Sequence, residues 1–206
     1  RLVSSAASDV YKRQLIRVNN IVNDLNNDMW MYIANDIFIL KTIKDEVGSS
    51  TMPHKVNPID FENSEGNIGL ANSMLNFFAE KLPISRLQRD LSDSTTLRNI
   101  GVAFGYSVIS YKSTLKGLQK ITPNKNKINE ELDNNWIVLS EAVQTIMRLE
   151  NIENAYEKLK DLTRGKNLNK EQYLEFVENL DVTQKNKDYL KSLNPRNYIG
   201  VAPKLK

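Results

Sequence analysis

The sequence predicts an all-α protein, in which a bundle of long helices is followed by a small helical domain. Three observations favour this fold class. Apolar residues recur at spacings of three and four over long stretches, whereas no segment alternates convincingly between apolar and polar residues. The 206 residues include only 8 Gly and 6 Pro, which fits long helices and few turns. Long helices with few capping residues also fit a bundle that is shared between subunits.

The composition excludes several functional classes. The chain has no Cys, which excludes a disulfide scaffold, a Cys-based zinc site and a thiol nucleophile. Its single His excludes a multi-His metal site within the chain. No apolar run approaches the ~18 residues of a membrane span, so the sequence predicts a soluble protein. The net charge is +3, and Arg1, Lys12 and Arg13 against Asp9 account for most of it. The remaining charge of +1 predicts no nucleic-acid binding.

The first predicted helix begins at Leu15. Residues 1–14 are interpreted as a non-native adapter and left out of the fold prediction, because residues 9–14 resemble a translated DNA-library adapter. An ordinary frayed terminus is the alternative. From Leu15 the apolar spacing predicts an amphipathic helix of about eight turns that reaches Ile43 and is stopped by Gly48. We expect Met29 and Trp30 of this helix, and Phe77 of the next, to lie in the core.

The remaining elements follow in order. Residues 48–58 contain two prolines and no period, which predicts a loop. A second helix is predicted from Ile59 to Glu80, with Pro58 near its start, and a third from Thr95 to Ile121. Shorter helices are predicted over 128–149, 154–163, 168–180 and 183–193, before an irregular tail. The predicted domains are a central bundle, 15–122, and a C-terminal helical domain, 123–206.

The loop at 48–58 is the segment most suggestive of chemistry. It combines a Gly hinge, the hydroxyls of Ser49 and Ser50, and the polar side chains of Lys55 and Asn57 within ten residues. These groups indicate an anion site with a possible nucleophile or base. A plain solvated loop remains the alternative on these grounds alone.

Two motifs resemble a known family. The pattern Gly48-Ser49-Ser50-x-Met52-Pro53-x-Lys55-x-Asn57 is similar to the signature of the fumarase/aspartase superfamily. The run Arg89-Asp90-x-Ser92-x-Ser94, with Arg98 after it, resembles the adenylosuccinate lyase family within that superfamily. Residues 58–67, 156–166 and 197–200 are similar to its bacterial-type branch, so the resemblance covers about residues 18–200.

The resemblance implies a reaction and roles for particular residues. The family eliminates fumarate from adenylosuccinate, giving AMP, and from the succinyl-carboxamide ribotide of purine biosynthesis, SAICAR, giving AICAR. It uses no metal and no cofactor. Ser49 matches the general base, which must act as an alkoxide. The other matched positions bind substrate: Lys55 and Asn57 at the succinyl carboxylates, Ser50, Val56 and Asn63 at further contacts, and Arg89, Ser94 and Arg98 at the nucleotide phosphate.

Ser94 is also expected to begin the third helix, whose N-terminus would favour the phosphate. His54 falls at a variable position of the signature and is interpreted as a loop residue. Each matched residue also has a structural interpretation, since a Ser can cap a turn and an Arg can pair on a helix surface.

The resemblance further implies a cytoplasmic homotetramer in which three subunits build each active site, with no nucleic-acid or membrane partner. The family's general-acid His lies upstream of the matched region. We therefore expect this chain to be about the C-terminal half of the enzyme and inactive alone. Two alternatives remain open: another fumarate-releasing lyase, such as an argininosuccinate lyase, and a non-catalytic helical assembly module.

Overall fold

The computed structural model describes residues 2–41, 57–84, 86, 91–163 and 168–204. Helices dominate these residues, which confirms the predicted all-α class. The chain divides into two units, Arg1–Asn124 and Lys125–Lys206. Within the described ranges, no helix combines the length and the apolar character needed to cross a membrane.

The first helix, α1, spans Leu2–Ala34. It includes residues that we set aside as an adapter, and it ends well before Ile43, so the predicted end was wrong. Asp36 adopts a positive φ of 60°, a left-handed conformation that ends the helix. The N–H of Ile37 then returns to the carbonyl of Tyr32 at 2.9 Å. The apolar residues after Ala34 had suggested a continued helix, but they belong to a different element.

That element is the strand β1, Phe38–Leu40, which pairs antiparallel with β2, Ile121–Pro123. Ile39 lies opposite Thr122, so β-branched residues face each other, as suits a strand. The pairing of β1 with β2 extends to one further residue on each strand, because the N–H of Lys41 donates to the carbonyl of Lys120 at 2.8 Å. A strand of three residues is too short to show alternation in the sequence, and no strand was predicted here.

The second helix, α2, spans Ile59–Lys81, which confirms the prediction. One face is buried, and its apolar members are Phe61, Ile68, Ala71, Leu75, Phe78 and Ala79. This helix packs against both α1 and the next long helix, α4, Ile100–Lys120. Gly117 of α4 allows close approach, since a Cβ there would lie 2.8 Å from the Phe61 ring.

The predicted third helix is divided into two. A short helix, α3, spans Ser92–Leu97, and α4 begins only at Ile100. Between them the backbone stays right-handed, but the hydrogen bonds tighten: Asn99 N–H donates to Thr96 O at 3.1 Å and Val102 N–H to Asn99 O at 3.1 Å. This tightening from four-residue to three-residue spacing separates the two helices without a glycine or proline.

Polar side chains fill much of the space between α1, α2 and α4. The buried polar residues there are Asn19, Asn26, Ser64, Ser107, Ser110 and Thr114. By contrast, Trp30 is 48% exposed and Phe77 is 53% exposed within this chain, and Met29 is half-buried, so the predicted core positions were wrong for the two aromatic residues. Helix α1 packs on α2 and α4 partly through Asn19 and Asn26, and several of its apolar side chains, Val18 and Ile21 among them, are exposed. Leu15 and Ile16 do pack against the cluster formed by Leu75, Phe78 and Ala103.

The second unit has its own core. The predicted helix over 128–149 is broken into α5, Lys125–Asp133, a 3-10 turn, Trp136–Leu139, and α6, Ser140–Leu149. The helices α7, Ala155–Thr163, α8, Lys170–Glu178, and α9, Gln184–Ser192, follow close to their predicted positions. A final 3-10 turn covers Ala202–Lys204. The core includes Leu139, Val143, Met147, Tyr173, Val177 and Leu190.

Candidate functional site

The structure describes four of the nine residues that we predicted to form the site. Asn57, Asn63, Ser94 and Arg98 lie within the described ranges. The predicted base Ser49 lies outside them, and so do Ser50, Lys55, Val56 and Arg89. His54 is also outside these ranges. The geometry of the site can therefore be built from the segments that flank the two motifs.

Asn57 stands immediately before α2, at the end of the first motif. Its carbonyl accepts the N–H of Ile59 at 2.8 Å, and the Pro58 carbonyl accepts the N–H of Phe61 at 3.0 Å. Pro58 occupies the N-cap position, where a missing N–H leaves no helical hydrogen bond unmade. The half-buried Asn57 is thus fixed to the first turn of α2.

Asn63 is exposed in the second turn of α2, and its amide is held in place on two sides. Its Nδ2 donates to Ser113 Oγ at 3.1 Å, and its Oδ1 accepts from Asn67 Nδ2 at 3.1 Å. Ser113 in turn donates to the backbone carbonyl of Asp60 at 2.8 Å. An amide has two donor hydrogens and two acceptor lone pairs, so the Asn63 side chain retains capacity for a ligand in a fixed orientation.

Ser94 and Arg98 lie one helical turn apart, and the carbonyl of Ser94 accepts the N–H of Arg98 at 3.4 Å. Both are exposed, and the four-residue spacing places them on the same side of α3. Ser94 is the third residue of α3, so the expectation that it begins the long third helix was wrong. A helix of six residues provides no macrodipole site, and any anion binding here depends on the hydroxyl and the guanidinium.

Asn63 and the Ser94–Arg98 pair lie at opposite ends of the bundle. Asn63 contacts Ser113 near the C-terminal end of α4. In contrast, α3 lies beside the other end of α2, where an open groove of about 360 Å³ is lined by Ser73, Met74, Phe77, Phe78, Thr95, Thr96 and Asn99. The rise of α2 between Asn63 and Phe77 separates the two groups by about 20 Å. One copy of this unit therefore does not bring them together.

Two charged residues near the first motif were not predicted. Asp60, in the first turn of α2, is 8% exposed, and Lys120, the last residue of α4, is 5% exposed. Lys120 Nζ lies 2.5 Å from Asp60 Oδ2, and Lys116 Nζ lies 3.0 Å from Asp60 Oδ1. The residues are 60 positions apart, and only the antiparallel packing of α2 on α4 brings them together. No local sequence signal identifies such a pair.

A buried polar network links the three helices behind the site. Asn26 Nδ2 donates to Ser64 Oγ at 2.8 Å, and Ser64 Oγ lies 2.6 Å from Ser110 Oγ. A second set of hydrogen bonds involves Asn19, whose Oδ1 accepts from the Tyr111 hydroxyl. Burial raises the pKa of Tyr111, which keeps its hydroxyl protonated as a donor. These contacts fix the register of α1, α2 and α4.

The comparisons with known proteins agree with the two motifs. A family model described as "Adenylosuccinate lyase C-terminal" matches residues 85–199, and one described as "Lyase" matches residues 11–71. The second match begins inside the segment that we interpreted as an adapter.

Curated relatives named adenylosuccinate lyase match most of the chain. That of Buchnera aphidicola subsp. Schizaphis graminum is 57% identical over 187 residues, which is 91% of this chain and 41% of the relative. That of Escherichia coli K12 is 55% identical over 186 residues, covering 90% of this chain and 41% of the relative. That of Haemophilus influenzae Rd is 54% identical over 191 residues, covering 93% and 42%.

The chain therefore spans about two fifths of the length of these relatives. The resemblance predicted from the two motifs is confirmed. Because the first family model matches more than half of the residues, the chain belongs to the adenylosuccinate lyase C-terminal family.

Proposed function

We propose that this chain supplies the general base and part of the substrate site of an adenylosuccinate lyase. The observation that carries the proposal is the superfamily signature at residues 48–57 in a chain that is more than 50% identical to proteins of that name. The reaction is β-elimination of fumarate from adenylosuccinate, which gives AMP, and from SAICAR, which gives AICAR.

The chemistry assigns a role to each group. A base removes a proton from the carbon next to a succinyl carboxylate, and negative charge develops on that carboxylate. Ser49 acts as this base in its alkoxide form, because a neutral hydroxyl is too weakly basic. Lys55 and Asn57 stabilise the developing charge, with Ser50, Val56 and Asn63 as further contacts. An acid protonates the departing nitrogen as the C–N bond breaks.

We assign the acid to a His outside these 206 residues. His54, the single His of the chain, falls at a variable position of the signature. The relatives are more than twice as long as the matched region, which leaves room for such a group.

Arg89, Ser94 and Arg98 bind the nucleotide phosphate in this proposal. The guanidinium of Arg98 offers a planar pair of donors, and Ser94 adds a hydroxyl on the same exposed side of α3. Their position about 20 Å from Asn63 supports an active site that is assembled from more than one copy of the chain.

Exposed apolar surface supports the same assembly. The large exposed apolar side chains of the first unit include Val18, Ile21, Trp30, Phe77, Phe104, Val108, Ile109 and Leu115. Side chains of this size on three neighbouring helices fit a surface that other subunits cover. We propose a homotetramer with shared active sites, acting in the cytoplasm.

The test joins this sequence to the N-terminal part of one of the relatives and assays the resulting full-length chimera. We expect fumarate release from adenylosuccinate and SAICAR and none from argininosuccinate. We also expect the 206-residue chain alone to be inactive. A tetrameric chimera without activity on either purine substrate would contradict the proposal, and activity on argininosuccinate would favour the other lyase.

A further inference from the structure

Lys120 contacts both described ends of the segment that contains the first motif. Residues 42–56 carry Ser49 and Lys55, with Lys41 before them and Asn57 after them. The backbone carbonyl of Lys120 accepts the N–H of Lys41 at 2.8 Å. Its side chain reaches Asp60, three residues after Asn57, at 2.5 Å. A single residue of α4 is therefore bonded to the chain on each side of the motif.

The side-chain contact between Lys120 and Asp60 is buried. Lys120 is 5% exposed and Asp60 is 8% exposed, so both charges depend on protein partners rather than on water. Asp60 is anchored a second time, because its backbone carbonyl accepts from Ser113 Oγ at 2.8 Å. The ion pair consequently fixes how the first turn of α2 sits against the C-terminal end of α4.

The backbone contact fixes the other end. Lys41 follows β1, and β1 pairs with β2, which begins directly after Lys120. The hydrogen bond from Lys41 to Lys120 extends this ribbon up to the last residue before the motif segment. The distance between the two ends is therefore set at the junction of α4 and β2.

From this arrangement we propose that Lys120 is a positioning residue for the lyase reaction. It fixes the two ends of segment 42–56 relative to each other, and so helps to hold the base and the carboxylate-binding residues in their reactive geometry. It does so through Asp60 and Lys41 and without touching the substrate. This inference rests on the proposed function, since the roles of Ser49 and Lys55 come from it.

Lys116 provides a matched control. It is also a lysine of α4 and contacts the other oxygen of the same carboxylate at 3.0 Å. Its side chain is 58% exposed, however, and such exposed pairs contribute little. Lys116 also remains beside Asp60 when Lys120 is replaced, so the carboxylate keeps one partner.

The experiment uses the full-length chimera with Lys120→Met or Lys116→Met. We expect Lys120→Met to lower kcat by about 10- to 100-fold while KM changes by less than about threefold, because misplacement of the base affects the chemical step most. Lys116→Met should leave kcat within about twofold of the parent. A folded, tetrameric Lys120→Met variant with the parent's kcat would overturn the inference.

A second variant separates positioning from stability. Asp60→Asn combined with Lys120→Met removes both buried charges, which should return the thermal midpoint toward that of the parent. We expect kcat to stay low, since the ion pair between the first turn of α2 and the end of α4 is still missing. Recovery of kcat together with stability would show that the pair only supports folding, and would overturn the inference.

Hydrogen exchange distinguishes failure of this inference from failure of the proposed function. In Lys120→Met, which removes the side-chain contact and keeps the backbone carbonyl, we expect faster exchange in peptides covering 57–62 and unchanged exchange in 68–79. This measurement does not require lyase activity. An inactive parent chimera with this exchange pattern would contradict the proposed function and leave the contact network standing. Unchanged exchange in 57–62 would contradict the positioning role.

Discussion

Thr114 Oγ1 donates to Asn26 Oδ1 at 2.8 Å, and this hydrogen bond joins α1 to α4 inside the bundle. The amide of Asn26 also donates to Ser64 on α2, so one side chain connects three helices. Asn26 is 1% exposed, and its partners have no access to water as a substitute. Networks of this kind stabilise a fold when complete and cost stability when one member is removed.

Replacement of Asn26 tests the network. Asn26→Leu removes the donor to Ser64 and the acceptor for Thr114, so that these two hydroxyls, 2.7 Å apart, each lose one of their buried partners. We expect a loss of about 2–4 kcal/mol in the free energy of unfolding, measured by urea titration of the helical circular dichroism signal. Asn27→Leu, at the exposed neighbouring position, is the control and should change stability by less than about 0.5 kcal/mol. Equal effects of the two substitutions would contradict the role of the network.

This network also explains why part of the fold was not predictable from the sequence. Helix α2 was located correctly because its apolar stripe is buried within the same chain. The periodicity of α1 was recognised, but Val18, Ile21 and Trp30 of that helix are exposed here, whereas Asn19 and Asn26 are buried. A hydrophobic pattern shows that a face will be covered, and it does not show which chain will cover it.

The breaks in the predicted helices have a similar cause. The turn at Asp36 depends on a left-handed residue other than glycine, and β1 depends on a partner more than 80 residues away. The break after Leu97 contains no glycine or proline. In the site, the motifs located the candidate residues, whereas the Asp60–Lys120 pair depends on the packing of α2 against α4. Tertiary contacts of this kind leave no local pattern.

Glu150 predicts an acid-dependent contribution to stability in the second unit. Its carboxylate accepts from the Thr183 N–H at 2.8 Å and from the Thr183 hydroxyl at 2.5 Å, at the start of α9. The Thr183 hydroxyl, followed by its N–H and Asn186, lowers the pKa of Glu150 below its ordinary value of 4.5. The carboxylate therefore stabilises the fold at pH values above 4.5, and this contribution is lost as the pH falls through the lowered pKa.

We accordingly expect Glu150→Gln to lower the urea midpoint at pH 7, and the difference from the parent to shrink as the pH is lowered below 4.5. Glu153→Gln, at a nearby exposed position, should shift the midpoint little at either pH. If Glu150→Gln lowered the urea midpoint by the same amount at pH 7 and below pH 4.5, the ionised carboxylate would be excluded as the cause.

The contribution of Tyr173 to stability is expected to be lost at alkaline pH, in contrast to that of Glu150, which is lost at acid pH. Its ring is fully buried against Trp136, and its hydroxyl donates to the carbonyl of Leu190 at 2.9 Å. Burial raises the pKa of Tyr173 far above its ordinary value of 10.0. Stabilisation by the protonated hydroxyl is complete below pH 10.0 and is lost as the pH rises toward the raised pKa, because the unfolded chain ionises first.

Tyr173→Phe should cost about 1–2 kcal/mol of unfolding free energy at pH 8, because it removes the buried hydrogen bond to the Leu190 carbonyl. That carbonyl still accepts the N–H of Leu193 at 3.1 Å. The difference in unfolding free energy between Tyr173→Phe and the parent should become smaller above pH 10.0. In that range the parent is destabilised by ionisation of Tyr173 in its unfolded chain, and the variant is not. Tyr156→Phe, at an exposed position of α7, is the control. If the deficit of Tyr173→Phe grew with pH, the assigned direction of the pKa shift would be wrong.

Arg98 tests the proposed phosphate contact. In the full-length chimera, Arg98→Met should raise KM for adenylosuccinate by about 10- to 100-fold, as expected for loss of a charge-assisted hydrogen bond. Arg98→Lys should give a smaller increase, because an ammonium keeps the charge and loses the planar pair of donors. Arg148→Met, which removes an exposed Arg of α6, should leave KM unchanged. A normal KM for Arg98→Met would remove this residue from the phosphate site.

The central claim is that this chain supplies the base for fumarate elimination, and Ser49→Ala in the full-length chimera tests it most directly. We predict a fall in kcat of about 10²- to 10⁴-fold, the usual contribution of a general base, with an unchanged tetramer and thermal midpoint. The release of fumarate from adenylosuccinate measures kcat. Turnover by Ser49→Ala at the parent's rate would contradict the claim.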